Sequence, residues 1–222
     1  MVLLRHISIA LTAAVAALGS ALFIALNYFY RRRVWSPETD YCMIKEEEEG
    51  RSERQVLVLG LDGSGKSSVL QGLSGARPKQ HRPTRGFNFI SLDTPACQLH
   101  FLEIGGGEDL RVYWAQYLQR THVLVYVVDS SDRRRLPLAK AELHRLLCTH
   151  GQLPVVVLGN KQDKPDAASV RELHQALSLG ALGPERRLHL LAAQLGSDGQ
   201  APDGQAPPCS LQAFQEILLQ LV

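Results

Sequence analysis

An α/β domain built on a largely parallel sheet with helices on both faces is the fold that this 222-residue sequence predicts, and three observations predict it. A β-branched apolar run, Gln55 to Leu59, feeds straight into the glycine-rich segment Gly60-Leu61-Asp62-Gly63-Ser64-Gly65-Lys66-Ser67 and then into an apolar-periodic helix. Extended runs alternate with helical ones through the rest of the chain, which is the pattern of a parallel sheet covered on both sides. A second polar motif, Asn160-Lys161-Gln162-Asp163, follows the buried run Pro154 to Leu158 and so stands at the carboxyl end of a strand, where open α/β sheets bind ligands.

Taken from the N-terminus, the first element is of another kind. Ile7 to Tyr30 runs for 24 residues without a charged side chain. As a helix it would be about 36 Å long, enough to cross a hydrocarbon core of about 30 Å with some tilt. Tyr28, Phe29, Tyr30 and Trp35 cluster at one end with Arg31, Arg32 and Arg33, so residues 1–33 read as a signal anchor that leaves the rest of the chain in the cytosol. A cleaved signal peptide is the competing reading, and the length of the apolar run counts against it. Residues 34–54 carry Pro37 and the acidic run Glu46 to Glu49 without apolar periodicity, as a solvated linker does.

Beyond the linker, strands are expected at Gln55–Leu59, Phe87–Leu92, Gln98–Ile104, Val123–Asp129, Val155–Leu158 and Leu188–Ala192, six in all. Helices are expected near Ser67–Leu73, Arg111–Arg120, Leu138–Cys148, Ser169–Leu177 and Leu211–Leu221, the last with Leu211, Phe214, Leu218 and Leu221 on one face. Residues 194–208 hold the tandem Asp198-Gly199-Gln200-Ala201-Pro202 and Asp203-Gly204-Gln205-Ala206-Pro207, rich in Gly and Pro, and read as a disordered insertion.

Composition narrows the function. A formal charge of +2 and no basic stripe with interleaved aromatics argue against nucleic acid as a partner. Four scattered cysteines without C-x-x-C spacing suit reduced thiols better than a disulfide framework or zinc. The glycine-rich loop supplies the positive evidence. Gly60, Gly63 and Gly65 let the backbone turn tightly, so that N–H groups of residues such as Asp62, Ser64 and Ser68 approach a pyrophosphate; Lys66 would neutralise its phosphates and Ser67 would bind Mg²⁺. Asp163 then selects the base. A buried carboxylate accepts from the ring N–H and exocyclic amine of guanine together, whereas adenine lacks that donor pair and would leave it unpaired.

From Gln55 onward the chain resembles an ADP-ribosylation factor-like (Arf-like) small GTPase, a P-loop NTPase-type small G domain. Pro83-Thr84-Arg85-Gly86-Phe87-Asn88 is similar to that family's first switch, and the resemblance implies that Thr84 ligates Mg²⁺ and senses the γ-phosphate. Leu102-Glu103-Ile104-Gly105-Gly106-Gly107, followed by Arg111 and Trp114, is similar to the second switch, with Gly106 as the γ-phosphate donor and Glu103 near the metal. Val127-Val128-Asp129-Ser130-Ser131-Asp132 matches a strand end typical of the family, and Leu190 to Gln194 resembles its last guanine-contact strand, where the Ala193 N–H would meet the guanine carbonyl; Asn160 and Lys161 would flank the base.

The chain departs from the family pattern at telling places. Gly107 stands where most members carry the Gln that orients the attacking water, so hydrolysis is expected to be weak or dependent on a partner. Glu103 replaces the usual Asp, and Val2 replaces the Gly that members myristoylate, the apolar anchor of residues 7–30 taking over attachment. The expected function is therefore a membrane-anchored guanine-nucleotide switch using GTP/GDP and Mg²⁺, with effector, exchange and GTPase-activating proteins as partners, on the endoplasmic reticulum or the mitochondrial outer membrane. Two alternatives stay open: a working GTPase that borrows a catalytic group, and a nucleotide-independent membrane adaptor.

Overall fold

Two faces of one sheet account for nearly all the buried apolar residues. The structure, a computed structural model, describes residues 52–75, 84–148, 150–183, 185–193 and 211–222. The expected anchor at 7–30, nearly all of the linker at 34–54 and the insertion at 194–208 lie outside the described residues; among those described, no helix is long and apolar enough to cross a membrane.

The six strands are β1 (Glu53–Leu59), β2 (Phe87–Asp93), β3 (Gln98–Ile104), β4 (Val123–Asp129), β5 (Val155–Asn160) and β6 (Leu188–Ala192). They lie in the order β2-β3-β1-β4-β5-β6, with β2 antiparallel to β3 and every other pairing parallel. Helices α1 (Lys66–Leu73), α2 (Glu108–Arg111), α3 (Trp114–Tyr117), α4 (Leu136–Leu147), α5 (Val170–Ala176) and α6 (Leu211–Leu221) connect or follow them, with short 3₁₀ turns at Leu118–Arg120, Arg133–Arg135 and Leu179–Leu182.

Strands β1, β4 and β5 are nearly continuous in apolar residues because both their faces are covered. Val56, Val58, Val123, Val125, Val127 and Val156 turn towards Val69, Leu70 and Leu73 of α1 and towards Phe214, Leu218 and Leu221 of α6. Alternate residues, among them Leu57, Leu59, Leu124, Tyr126, Val155 and Val157, turn the other way onto Trp114, Leu118, Leu143, Leu146, Leu173 and Leu177. Burial of this kind is worth roughly 25 cal/mol for each Å² of apolar surface removed from water, and it fixes the strand ends that carry the loops.

Three differences from expectation bear on the site. The helix expected over Arg111–Arg120 is broken into α2, α3 and a 3₁₀ turn, because Tyr113 N bonds Leu110 O at 3.1 Å and Gln116 N bonds Tyr113 O at 3.0 Å, three residues back instead of four. Tertiary anchoring wins there: Trp114 is fully buried and its indole donates to Gly105 O at 3.1 Å. Helix α4 begins two residues earlier than periodicity indicates, with a proline in its first turn, where an absent N–H leaves nothing unsatisfied. Strand β5 runs on to Asn160, carrying the first residue of the second motif inside the sheet.

Candidate nucleotide site

The carboxyl ends of β1, β3, β4 and β5 bring the sequence-predicted residues to one end of the sheet. At the end of β1 the chain turns through Gly60 (φ 145°), Gly63 (φ 73°) and Gly65 (φ 94°), all in the region that disfavours other residues. Space is as restrictive as torsion: a Cβ on Gly60 would collide with Val127 O, and one on Gly65 with the Asn160 amide. The loop closes over Lys66, whose Nζ donates to Gly60 O at 2.9 Å and Leu61 O at 3.0 Å. Burial pulls the Lys66 ammonium down to about 8, against the opposing pull of the Glu103 and Asp62 carboxylates. A desolvated cation at the N-terminus of α1 is a site prepared for an anion such as a phosphate. Ser64 is buried within the loop, and Ser68 is half-buried on α1.

Beside Lys66, three oxygen-bearing side chains from three elements converge. Ser67 Oγ donates to Glu103 Oε1 at 2.7 Å and lies 3.0 Å from Thr84 Oγ1, which itself donates to the same carboxylate oxygen at 3.1 Å. Glu103 is 1% exposed, and its other oxygen accepts from Asn88 Nδ2 at 2.8 Å. Two hydroxyls and one carboxylate form an all-oxygen set of the kind that a small hard cation takes, with a phosphate supplying further oxygens. The residues therefore fit Mg²⁺: Ser67 and Thr84 would hold it, Glu103 would stand behind them, and the ion would neutralise phosphate charge. Asn88, absent from the sequence-predicted set, helps to fix where the Glu103 carboxylate points.

The second-switch segment lies directly against the loop. A Cβ on Gly106 would strike Asp62 N, Leu61 C and Gly60 O, so only glycine allows this approach. Both neighbouring peptides are pinned by side chains: Trp114 holds Gly105 O, and Arg111 Nε donates to Gly106 O at 2.9 Å. In a trans peptide the N–H opposes the C=O, so holding Gly105 O from one side aims the Gly106 N–H to the other. Gly107 differs in kind. Its φ of −61° and ψ of 154° suit any residue, and the first atom that a Cβ would meet is Asp109 Oδ1, the end of a flexible side chain.

At the end of β5, Asn160 is fully buried and its Nδ2 donates to Ser64 O at 3.0 Å, joining the second motif to the first across 96 residues. Lys161, at φ 63°, donates to Asp129 Oδ2 at 2.5 Å. Burial would raise the Asp129 carboxyl, but hydrogen bonds from Lys161 and Ser131 outweigh it and hold the group below its ordinary value. Gln162 Nε2 bonds Ser130 Oγ at 2.8 Å and Ala168 O at 3.0 Å, latching the loop after β5 to the loop after β4.

Two expectations need correction here. Asp163 is open to solvent, its side chain 30% exposed and 3.8 Å from the Lys164 ammonium, because the chain has left the sheet by then; its selectivity cannot rest on burial before a base arrives. The N–H of Ala193 is spent on Gly159 O at 2.8 Å, continuing the β5–β6 pairing, so it is not available to a guanine carbonyl; the next residue, Gln194, lies outside the described residues.

The comparisons with known proteins agree with this architecture. The ADP-ribosylation factor family model matches residues 41–201. The chain is 40% identical to mouse ADP-ribosylation factor-like protein 10, covering 96% of each chain, and 41% identical to human ADP-ribosylation factor-like protein 9, covering 76% of this chain and 88% of that one. Its fold is similar to that of the Arl6 (BBS3) small GTPase from Trypanosoma brucei with bound nucleotide analogue GppNp, with a TM-score of 0.61 and 24% identity, over 77% of this chain and 100% of that one. With its mostly parallel six-stranded sheet, the chain belongs to the ADP-ribosylation factor family of small GTP-binding proteins.

Proposed function

We propose that this protein is a membrane-anchored guanine-nucleotide switch that holds GTP well and cleaves it slowly without help. The observation that carries the binding half is the gathering of Lys66, Ser67, Thr84 and Glu103 at one end of the sheet, with Asn160 tying the loop after β5 to Ser64. An adaptor that kept the fold alone would have no use for a buried lysine beside an oxygen cluster. In the switch reading, Lys66 and the loop amides bind phosphate, Thr84 and Gly106 report whether the γ-phosphate is there, and Asp163 accepts from guanine.

The slow-cleavage half rests on Gly107. Intrinsic hydrolysis by Ras-like proteins is already near 10⁻⁴ s⁻¹ with a water-orienting Gln. A residue without a side chain leaves positioning of the water to other groups, and that points to a GTP state lasting hours unless a partner supplies the missing one. Membrane attachment through residues 7–30 would be permanent, so nucleotide state would control which effectors bind and not whether the protein leaves the bilayer. The triple arginine at 31–33 supports a cytosolic G domain on the endoplasmic reticulum or mitochondrial outer membrane. Chromatography of nucleotide released from the purified full-length chain tests the binding half: guanine nucleotide at near one per chain is expected, and adenine nucleotide or none would refute it. Release from membranes by sodium carbonate would refute the anchor.

A further inference from the structure

The phosphate loop carries a negative charge of its own. Asp62 lies between Gly60 and Gly63, its amide is packed against Gly106, and its carboxylate acts electrostatically on Lys66. An anion there opposes a further phosphate charge, so the fold must dispose of it. Two arginines from elsewhere do so. Arg135, in the 3₁₀ turn after β4, donates through Nη1 to Asp62 Oδ1 at 3.1 Å and to Asp62 O at 3.2 Å, and its Nη2 lies 3.8 Å from where a Cβ on Gly63 would be. Arg111, 13% exposed, brings Nη2 to 3.9 Å from the same Oδ1 while its Nε holds Gly106 O. Arg135 is itself held by Asp132, with Nε to Oδ2 at 2.6 Å, so its guanidinium is fixed along the loop and not free in solvent.

We propose that Arg135, assisted by Arg111, sets the preference of the site for GTP over GDP by neutralising Asp62. This rests on the nucleotide reading above. In the nucleotide reading GDP and GTP share the contacts to Lys66 and the loop; they differ in the γ-phosphate, which that reading assigns to the Gly106 N–H, and Gly106 packs against the Asp62 amide. With Arg135 in place the Asp62 charge is paired. Without it the carboxylate faces the extra phosphate with Arg111 alone, and Arg111 is shared with Glu142, 3.9 Å from its Nη1. One unit charge at about 10 Å in a medium of effective dielectric near 20 changes an affinity by about tenfold. Arg135 is a positioning residue in this account: it acts through Asp62.

The test measures equilibrium affinities of the full-length chain, in detergent with Mg²⁺, for GDP and for the non-hydrolysable GppNHp. Arg135→Met is expected to weaken GppNHp about tenfold more than GDP, Arg135→Lys to keep the wild-type ratio, and Asp62→Asn added to Arg135→Met to restore it. The selective loss should shrink as salt rises, since Asp62 and Arg135 are partly exposed. An unchanged ratio in Arg135→Met would overturn the proposal. So would equal loss of both nucleotides without rescue by Asp62→Asn, which would make Arg135 merely structural. A wild-type chain that binds neither nucleotide would overturn the nucleotide reading and this inference with it.

Discussion

The glycine-rich loop and the segment Gly105–Gly107 touch each other, yet only the loop carries a cluster of polar side chains held by hydrogen bonds. In the loop Lys66 is placed by the Gly60 and Leu61 carbonyls, Ser67 by Thr84 and Glu103, and Ser64 O by Asn160. The second switch is anchored as firmly, by Trp114 on Gly105 and Arg111 on Gly106, and then ends in a glycine with nothing to place. Gly106 is glycine because a Cβ would strike backbone, whereas at Gly107 a Cβ would need only the Asp109 carboxylate to give way. In the proposed reading binding and cleavage are therefore separable, because Gly107 bears on the second and none of the contacts that hold the loop depends on it.

The largest expected effect breaks the binding side. Lys66→Met removes hydrogen bonds from a cation to phosphate, each worth about 1.5–3 kcal/mol, and should weaken GDP and GppNHp alike by at least about a hundredfold in titration calorimetry. A smaller loss, about thirtyfold, is expected for Asp163→Ala towards guanine nucleotides, with adenine nucleotides unaffected because they make no use of that carboxylate. If both fell equally, base selection would have to be sought elsewhere.

On the cleavage side, Gly107→Gln should be accommodated with only Asp109 shifting and should raise single-turnover hydrolysis about tenfold, since the new side chain restores orientation of water. A variant that folds, binds GTP and gains nothing would mean that Gly107 is not what limits the reaction.

The smallest effect is a pH dependence. Lys66 titrates near 8 in the nucleotide-free site, and a bound phosphate raises it again by supplying the opposite charge. Binding therefore takes up a proton at higher pH, and affinity should fall by at most about tenfold between pH 7 and 9. Lys66→Arg, which stays charged, should remove that dependence while binding at its own level. A wild-type affinity flat over the same range would place the Lys66 ammonium well above 8.

Much of this was legible in the sequence because local signals agreed with the fold. Apolar runs gave the buried strands β1, β4 and β5, and the two motifs fell at strand ends where the sheet binds ligands. The rest depends on distance in the chain or on register. The split of the expected Arg111–Arg120 helix follows from Trp114 reaching back to Gly105, which periodicity does not encode. The pairing of Arg135 with Asp62 spans 73 residues and reads in sequence only as a run of exposed arginines. Ala193 was assigned by its place in a motif, but whether its N–H is free depends on how β6 pairs with β5, and Gly159 O takes it. Asn88 reads in sequence only as the end of the first-switch segment, and its partner Glu103 emerges once β2 and β3 align the two.

The central claim is that the site keeps GTP intact, and single-turnover hydrolysis of GTP pre-bound to the full-length chain with Mg²⁺ tests it most directly. The account predicts a rate well below the roughly 10⁻⁴ s⁻¹ of Ras-like proteins that retain the water-orienting Gln, with GTP remaining for hours and Gly107→Gln faster than the natural chain. Hydrolysis by the unaided natural chain at or above that rate would contradict it.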